Sequence, residues 1–248
     1  MMRMDSEYVL TESGEESRFG RDLPSSARIR DLNIQSKIAR HLQISQEWCA
    51  LKRVIDVVGS ALLLVCLSPL LLVLSALVAI SGRPIFFSQQ RIGKGGRRFQ
   101  CFKFRTMVPQ AEDVLVQLLE SDPVLNEEWM RTRKLKVDPR ITRIGAFLRR
   151  TSLDELPQLL NVLKGDMSLV GPRPIVRYEL DLYARAASWY LSARPGMTGL
   201  WQISGRSDVG YRRRIALDTY YVRNQSLLLD TVILFRTIRV VMRGSGAY

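Results

Sequence analysis

The spacing of apolar residues divides the chain into stretches of different texture. From Val57 to Ile80 it reads VVGSALLLVCLSPLLLVLSALVAI, and the charge-free run continues to Gly82. As a helix these 24 residues would extend about 36 Å, more than the ~30 Å of a bilayer core. PIFFSQQRIG and FQCFKFRTM then read as strands joined by the glycine-rich GKGGRR, which predicts a β-hairpin. Over residues 109–135, Val114, Leu115, Leu118 and Leu119 recur at helical spacing until Asp122-Pro123 interrupts them. Asp138-Pro139 opens a turn before ITRIGAFLRR, which suits strand or helix, and LPQLLNVLKG is a helix that Gly165 closes. SLLLDTVILFRTIRVVMR, Ser226–Arg243, is a strongly apolar helix with Arg236, Arg239 and Arg243 on one face. It suits either docking on a bilayer surface or packing on a core with a solvated stripe. Residues 1–45 mix charged, Ser and Gly residues and read as a flexible tail.

The long apolar segment is broken at Ser68-Pro69, where proline removes a backbone bond and Ser68 can take up a freed carbonyl. It starts too far into the chain and runs too long for a signal peptide. Lys52 and Arg53 precede it, and Arg83, Arg91, Lys94, Arg97 and Arg98 follow it, so both ends favour the cytoplasmic side. A re-entrant helix satisfies both ends and a kinked span only one; the residues leave both open. Asp56, four residues after Lys52 and three after Arg53, is expected to pair with them as an anchor at the membrane edge.

Charge sharpens the division. The 248 residues carry a formal net charge of +13, yet residues 1–51 hold seven Lys/Arg against eight Asp/Glu. The remainder therefore holds 30 basic and 16 acidic residues, and its partner should be anionic: nucleic acid, acidic lipid or a phosphorylated substrate. Three cysteines without a spacing motif argue against a disulfide framework. A zinc site is equally disfavoured, because His41 is the only histidine and lies in the polar tail.

The densest chemistry is RRTSLDELPQLL, Arg149–Leu160. Ser152 to Glu155 fits a capping box, but Pro157 fits poorly inside a helix and better at its start. Asp154 and Glu155 then lie at the positive end of a helix beside Arg149 and Arg150, all of which favours their ionised forms. Adjacent carboxylates are tolerable where cations neutralise them, and Mg²⁺ takes one or two carboxylates plus phosphate oxygens. Downstream, prolines flank Arg173 in GPRP, and ARPGMTGLWQISGR carries Arg194 and Arg206. Such rigid arginines suit phosphate recognition. Lys103 and Arg105 alternate with apolar residues and are expected on one strand face, while the hairpin glycines could cradle phosphate or simply turn the chain. These features suggest an enzyme handling a diphosphate at a membrane surface. A basic module binding anionic lipid or nucleic acid without catalysis, and a diphosphate-lipid hydrolase, are the rival readings.

In this order, KRVIDVVGS, SPLLL, FKFRTM, DPRITRIG, RRTSLDELPQLLNVLKGDMSLVGPRP and ARPGMTGLWQISGR closely resemble the bacterial sugar transferases that begin surface-polysaccharide synthesis. These are the monotopic polyprenyl-phosphate phosphoglycosyl transferases. The resemblance covers about residues 50–248 and looks most like the undecaprenyl-phosphate galactose phosphotransferases of exopolysaccharide pathways. It implies transfer of a hexose-1-phosphate from UDP-galactose or UDP-glucose to undecaprenyl phosphate, releasing UMP, with Mg²⁺. It also implies a re-entrant membrane helix broken at Ser68-Pro69. Carried over by motif, Asp154 is the nucleophile that forms an acyl-phosphate sugar, and Glu155 is its partner for metal or proton handling, the two together being the metal pair. Arg149, Arg173 and Arg206 are expected to hold phosphates, with Lys103 and Arg105 of FKFRTM. The implied architecture is α/β and mainly helical: a tail at 1–48, the re-entrant helix at 49–82, and a cytoplasmic catalytic domain at 83–248 with amphipathic helices on the membrane surface. Larger relatives carry a multi-span N-terminal domain where this chain has a short tail. The expected partners are UDP-sugar, undecaprenyl phosphate and lipid of the bacterial inner membrane, with no nucleic acid; homo-oligomerisation is left open.

Overall fold

The charge-free segment folds as two helices, α1 (Trp48–Cys66) and α2 (Ser68–Ile80), bent by 64° at Leu67. The computed structural model describes residues 48–132, 135, 137–205 and 210–243; the expected tail at 1–45 and Arg206 lie outside them. Pro69 sits in the first turn of α2, where its missing N–H breaks no helical bond. The carbonyl that a proline at 69 cannot serve is that of Val65, and Ser68 Oγ donates to it at 2.7 Å. No single described helix is long and apolar enough to cross a membrane, although the bent pair together has the length and composition.

Residues Ala50–Tyr248 form one compact unit, and the bent pair is tied into it by charged side chains. The expected Asp56 pairing with Lys52 and Arg53 is not what forms. Asp56 is buried and accepts from Ser168 Oγ (3.0 Å) and the Leu169 amide (2.9 Å). Lys52 instead pairs with Asp230 of a later helix, and Arg53 donates to the Val162 and Leu163 carbonyls at 2.6 and 2.9 Å. Neighbours on an exposed helix would pair with each other. Here a buried strand amide and the carbonyls at the end of another helix compete for the same groups.

The expected hairpin is present as β1 (Phe86–Ile92) and β2 (Arg98–Phe104), antiparallel, with Phe86 opposite Phe104 and Ile92 opposite Arg98. A 3₁₀ turn over Lys94–Gly96 joins them. Phe99 and Cys101 point inward from β2. The helical stretch after the hairpin is two helices, α3 (Ala111–Ser121) and α4 (Pro123–Thr132), divided at Asp122 as the proline requires. The ambiguous ITRIGAFLRR becomes α5 (Arg143–Thr151), capped by Thr142 Oγ1, which accepts from the Gly145 amide at 2.9 Å. Gly145 lets α5 press against the segment after β2: a Cβ there would lie 1.9 Å from the Thr106 carbonyl oxygen. Leu148 of α5 packs with Phe104 of β2 and with Leu74 and Val78 of α2.

A 3₁₀ turn at Leu153–Glu155 leads into α6 (Gln158–Lys164), which Gly165 closes at φ 94°. Short strands β3 (Ser168–Val170) and β4 (Gly196–Thr198) pair in parallel around α7 (Arg177–Tyr183) and α8 (Ala187–Ser192). The chain finishes with α9 (Tyr211–Arg223) and α10 (Leu227–Arg243). The main core gathers Phe99, Leu159, Val162, Met167, Val170, Tyr221 and Ile233. The architecture is thus mainly helical with two small sheets. Helix α10 buries Asp230 and Ile233 and leaves Leu228 and Phe235 exposed at 76% and 70%, beside exposed Arg236 and Arg239.

Candidate active site

The carboxylates of Asp154 and Glu155 sit in the tight turn between α5 and α6. Ser152 does not cap α6; it closes α5 in the left-handed conformation, φ 57°. A non-glycine residue held there stores strain beside the pair. Pro157 immediately precedes α6, where it costs no helical bond. Asp154 is 8% exposed, while Glu155 is half-buried.

Strand β2 delivers the counter-charge. Lys103 Nζ donates to Glu155 Oε1 at 2.6 Å and lies 3.7 Å from Asp154 Oδ2. Asn161, fully buried, fixes this approach. Its Oδ1 accepts from the Phe102 amide (3.0 Å) and its Nδ2 donates to the Gln100 carbonyl (2.7 Å), which stitches β2 to α6. Arg149 comes from the last turn of α5, and its Nε donates to Thr106 Oγ1 at 2.8 Å.

Burial pushes the Asp154 carboxyl up to about 6; Glu155 adds to the rise, and Lys103 and Arg149 oppose it. Burial alone would lower the Lys103 ammonium, but Glu155 and Asp154 together hold it above its ordinary value. Arg149 is lowered by burial against the pull of Asp154 and Asp138. The site therefore holds a carboxylate whose charged form burial disfavours and neighbouring cations favour.

Arg173 projects from the loop before α7 and stacks on Trp201, 5.0 Å from the ring centre, close enough for its charge to act on Lys103. Asp154, Glu155, Lys103, Arg149 and Arg173 are thus brought into one neighbourhood. Arg105 is not. It lies one residue past β2 and is buried, and its guanidinium donates to the carbonyls of Val78, Gly82, Pro84 and Met107 and to Ser81 Oγ. The expected shared face with Lys103 fails because strand alternation ends at Phe104, and the carbonyls at the end of α2 offer Arg105 a complete set of acceptors.

Three supporting residues went unnoticed in the sequence. Asn161 was readable as the amide flanked by Leu160 and Val162 inside the apolar LPQLLNVLKG run. Thr106, which holds Arg149, and Arg214, which stacks on Trp201 and pairs with Glu179, carried no local signal, because those partners come from other segments of the chain. Among the described residues no group of three or more His, Cys, Asp or Glu gathers to hold a metal. The Asp154–Glu155 pair offers two hard carboxylates, a donor set that suits Mg²⁺ when phosphate and water complete its shell.

Residues 47–244 match the family profile described as Bacterial sugar transferase. The chain is similar to the undecaprenyl-phosphate galactose phosphotransferase of Salmonella typhimurium, 54% identical over 198 residues, covering 80% of this chain and 42% of that one. It resembles the exopolysaccharide production protein ExoY of Sinorhizobium fredii at 54% identity, covering 79% of this chain and 88% of the relative. A third relative, the UDP-galactose-lipid carrier transferase of Erwinia amylovora, is 48% identical over 90% of this chain and 46% of its own length. The chain thus spans less than half of the Salmonella and Erwinia relatives.

Proposed function

The chain belongs to the bacterial sugar transferase family, and on that premise we propose that it transfers a hexose-1-phosphate from UDP-galactose or UDP-glucose to undecaprenyl phosphate, releasing UMP. The names of the Salmonella and Erwinia relatives favour galactose. The observation that carries the reading is the buried Asp154 held beside Lys103. A module that only bound anions would gain nothing from a buried carboxylate facing its ligand, since like charges repel.

The reaction runs in two displacements. A carboxylate oxygen of Asp154 attacks the sugar-proximal phosphorus; a P–O bond forms, the bond to the bridging oxygen breaks, and UMP leaves with that electron pair. An oxygen of undecaprenyl phosphate then attacks the same phosphorus, and Asp154 departs as carboxylate. Lys103 keeps Asp154 ionised, and Arg149, fixed by Thr106, and Arg173 neutralise the phosphoryl oxygens as charge moves onto them. Arg206 is assigned to the same task by motif. Asp154 and Glu155 would hold Mg²⁺, which when bound draws electron density from the phosphate oxygens.

The protein works from the cytoplasmic face of the bacterial inner membrane, with α1 and α2 dipping into one leaflet and returning. Supporting this, the start of α1 is held through Lys52, Arg53 and Asp56, and the end of α2 through Arg105, so both ends attach to the same compact unit. Impermeant thiol reagents should reach Cys49 and an Arg83→Cys variant from the same side only; labelling from opposite sides refutes the topology.

Intact mass after incubation with UDP-galactose or UDP-glucose tests the chemistry. A hexose-phosphate adduct is expected on the wild type and not on Asp154→Asn. UMP release undiminished in Asp154→Ala removes Asp154 as nucleophile.

A further inference from the structure

A second cationic cluster adjoins the carboxylate pair. Trp201, only 7% exposed, carries the Arg173 guanidinium at 5.0 Å from its ring centre and that of Arg214 at 5.1 Å; Arg214 also lies 4.4 Å over Tyr211. Stacking fixes both guanidinium planes. Among the described residues, Nε of Arg173, Nε of Arg214 and Nε1 of Trp201 are buried donors without a hydrogen-bond partner, and Gln202 Oε1 is a buried acceptor without one. Buried donors are normally satisfied, so several together point to a ligand that satisfies them.

The charge balance points the same way. Glu179 is shared between Arg91 (3.7 Å) and Arg214 (3.9 Å) and already accepts from the Val176 amide. Asp218, buried behind the cluster, accepts from Tyr183 and is pushed up to about 7 by burial, against the pull of Tyr183, Arg214 and Arg173. Arg91, Arg173 and Arg214 thus gather around Glu179 and Asp218, three guanidiniums to two carboxylates. Arg173 bridges the two regions, acting electrostatically on both Arg91 and Lys103.

We infer that Arg173, Trp201 and Arg214 form the seat of the departing nucleoside monophosphate. The donor diphosphate then lies across two stations, its sugar-proximal phosphate at Asp154, Lys103 and Arg149, its nucleoside-proximal phosphate on the stacked arginines. The unpartnered Gln202 oxygen suits a ring N–H of the base. This rests on the sugar-phosphate transfer proposed above and assigns roles to Trp201, Gln202 and Arg214 in it. A phosphate monoester could also come from the lipid acceptor, and the experiment separates the two sources.

The full chain in nanodiscs would be titrated with UMP and with uridine, and KM measured for UDP-sugar and for undecaprenyl phosphate. Arg214→Gln should weaken UMP about 10- to 100-fold, the worth of one or two charge-assisted hydrogen bonds, and uridine much less. The donor KM should rise with the acceptor KM unchanged, and Arg223→Gln, whose guanidinium stacks on Trp189 instead, should match the wild type. Unchanged UMP affinity in Arg214→Gln, or a rise confined to the acceptor KM, overturns the assignment. If Arg214→Gln does not fold, Trp201→Phe serves: it keeps the stack, removes Nε1–H and should still weaken UMP. Its full UMP affinity would count against the seat. A wild type that binds UMP through Arg214 yet never forms a hexose-phosphate adduct would sink the transfer reading and keep the seat.

Discussion

Lys103 and Arg105 stand two residues apart in FKFRTM, yet they belong to two different kinds of buried charge. Arg105 joins Lys52, Arg53 and Asp56 in fastening the bent helix pair, and each finds fixed protein partners: helix-end carbonyls, strand amides or Asp230. Lys103 joins Asp154, Glu155 and Arg149, where a carboxylate remains hard to ionise despite the cations around it. The first set is satisfied by the fold and does architecture. The second is held in place but incompletely compensated, which leaves it able to interact with a ligand.

The sharpest test of that contrast is Asp154→Asn. It should lower turnover about a thousandfold or more, as loss of a nucleophile does. It should also stabilise the fold at pH 8 by about 1–3 kcal/mol, read by thermal melting, because the buried carboxyl sits near 6 in the folded state against 3.8 ordinarily. A raised carboxyl destabilises above its folded pKa, so this gain should shrink between pH 6 and 4. An Asp154→Asn protein less stable than wild type at pH 8 would place Asp154 with the architectural set.

Arg105→Met should do the reverse: loss of about 3 kcal/mol or more of stability, because several buried carbonyls are orphaned together. Arg105→Lys should not rescue it, since one ammonium cannot serve acceptors spread over Val78, Gly82, Pro84 and Met107. Lys103→Met should move chemistry more than stability. On the proposed mechanism the ionised carboxylate is the active form, so the rate should fall as pH drops through about 6; without Lys103 that acidic limb should rise by about one pH unit. Smallest is Phe235→Ser on the exposed face of α10, expected to ease release from membranes in a salt wash without altering the melting temperature of the detergent-solubilised protein.

Where geometry is local, the sequence was a good guide. The hairpin, the break beside Ser68-Pro69, the division at Asp122-Pro123 and the Gly165 stop follow from proline and glycine chemistry that acts within a few residues. The carboxylate pair was equally visible, because Asp154-Glu155 ahead of a proline-started helix is unusual in itself. Long-range partners were not legible. The i, i+4 rule offered Asp56 a neighbour, and strand alternation offered Arg105 a face shared with Lys103; in each case a group more than 20 residues away competed better.

The order of residues by itself therefore determined the hairpin, the helix breaks and stops at proline and glycine, where the apolar helix must bend, and which side chains could carry phosphate chemistry. Only the tertiary structure decided which charges are consumed by packing and which stay available, that Asn161 joins β2 to α6, and that Trp201 gathers Arg173 and Arg214. The physical reason is that backbone conformation is set by sterics between near neighbours, whereas the energy of a buried charge depends on every dipole that surrounds it, from whatever part of the chain it comes.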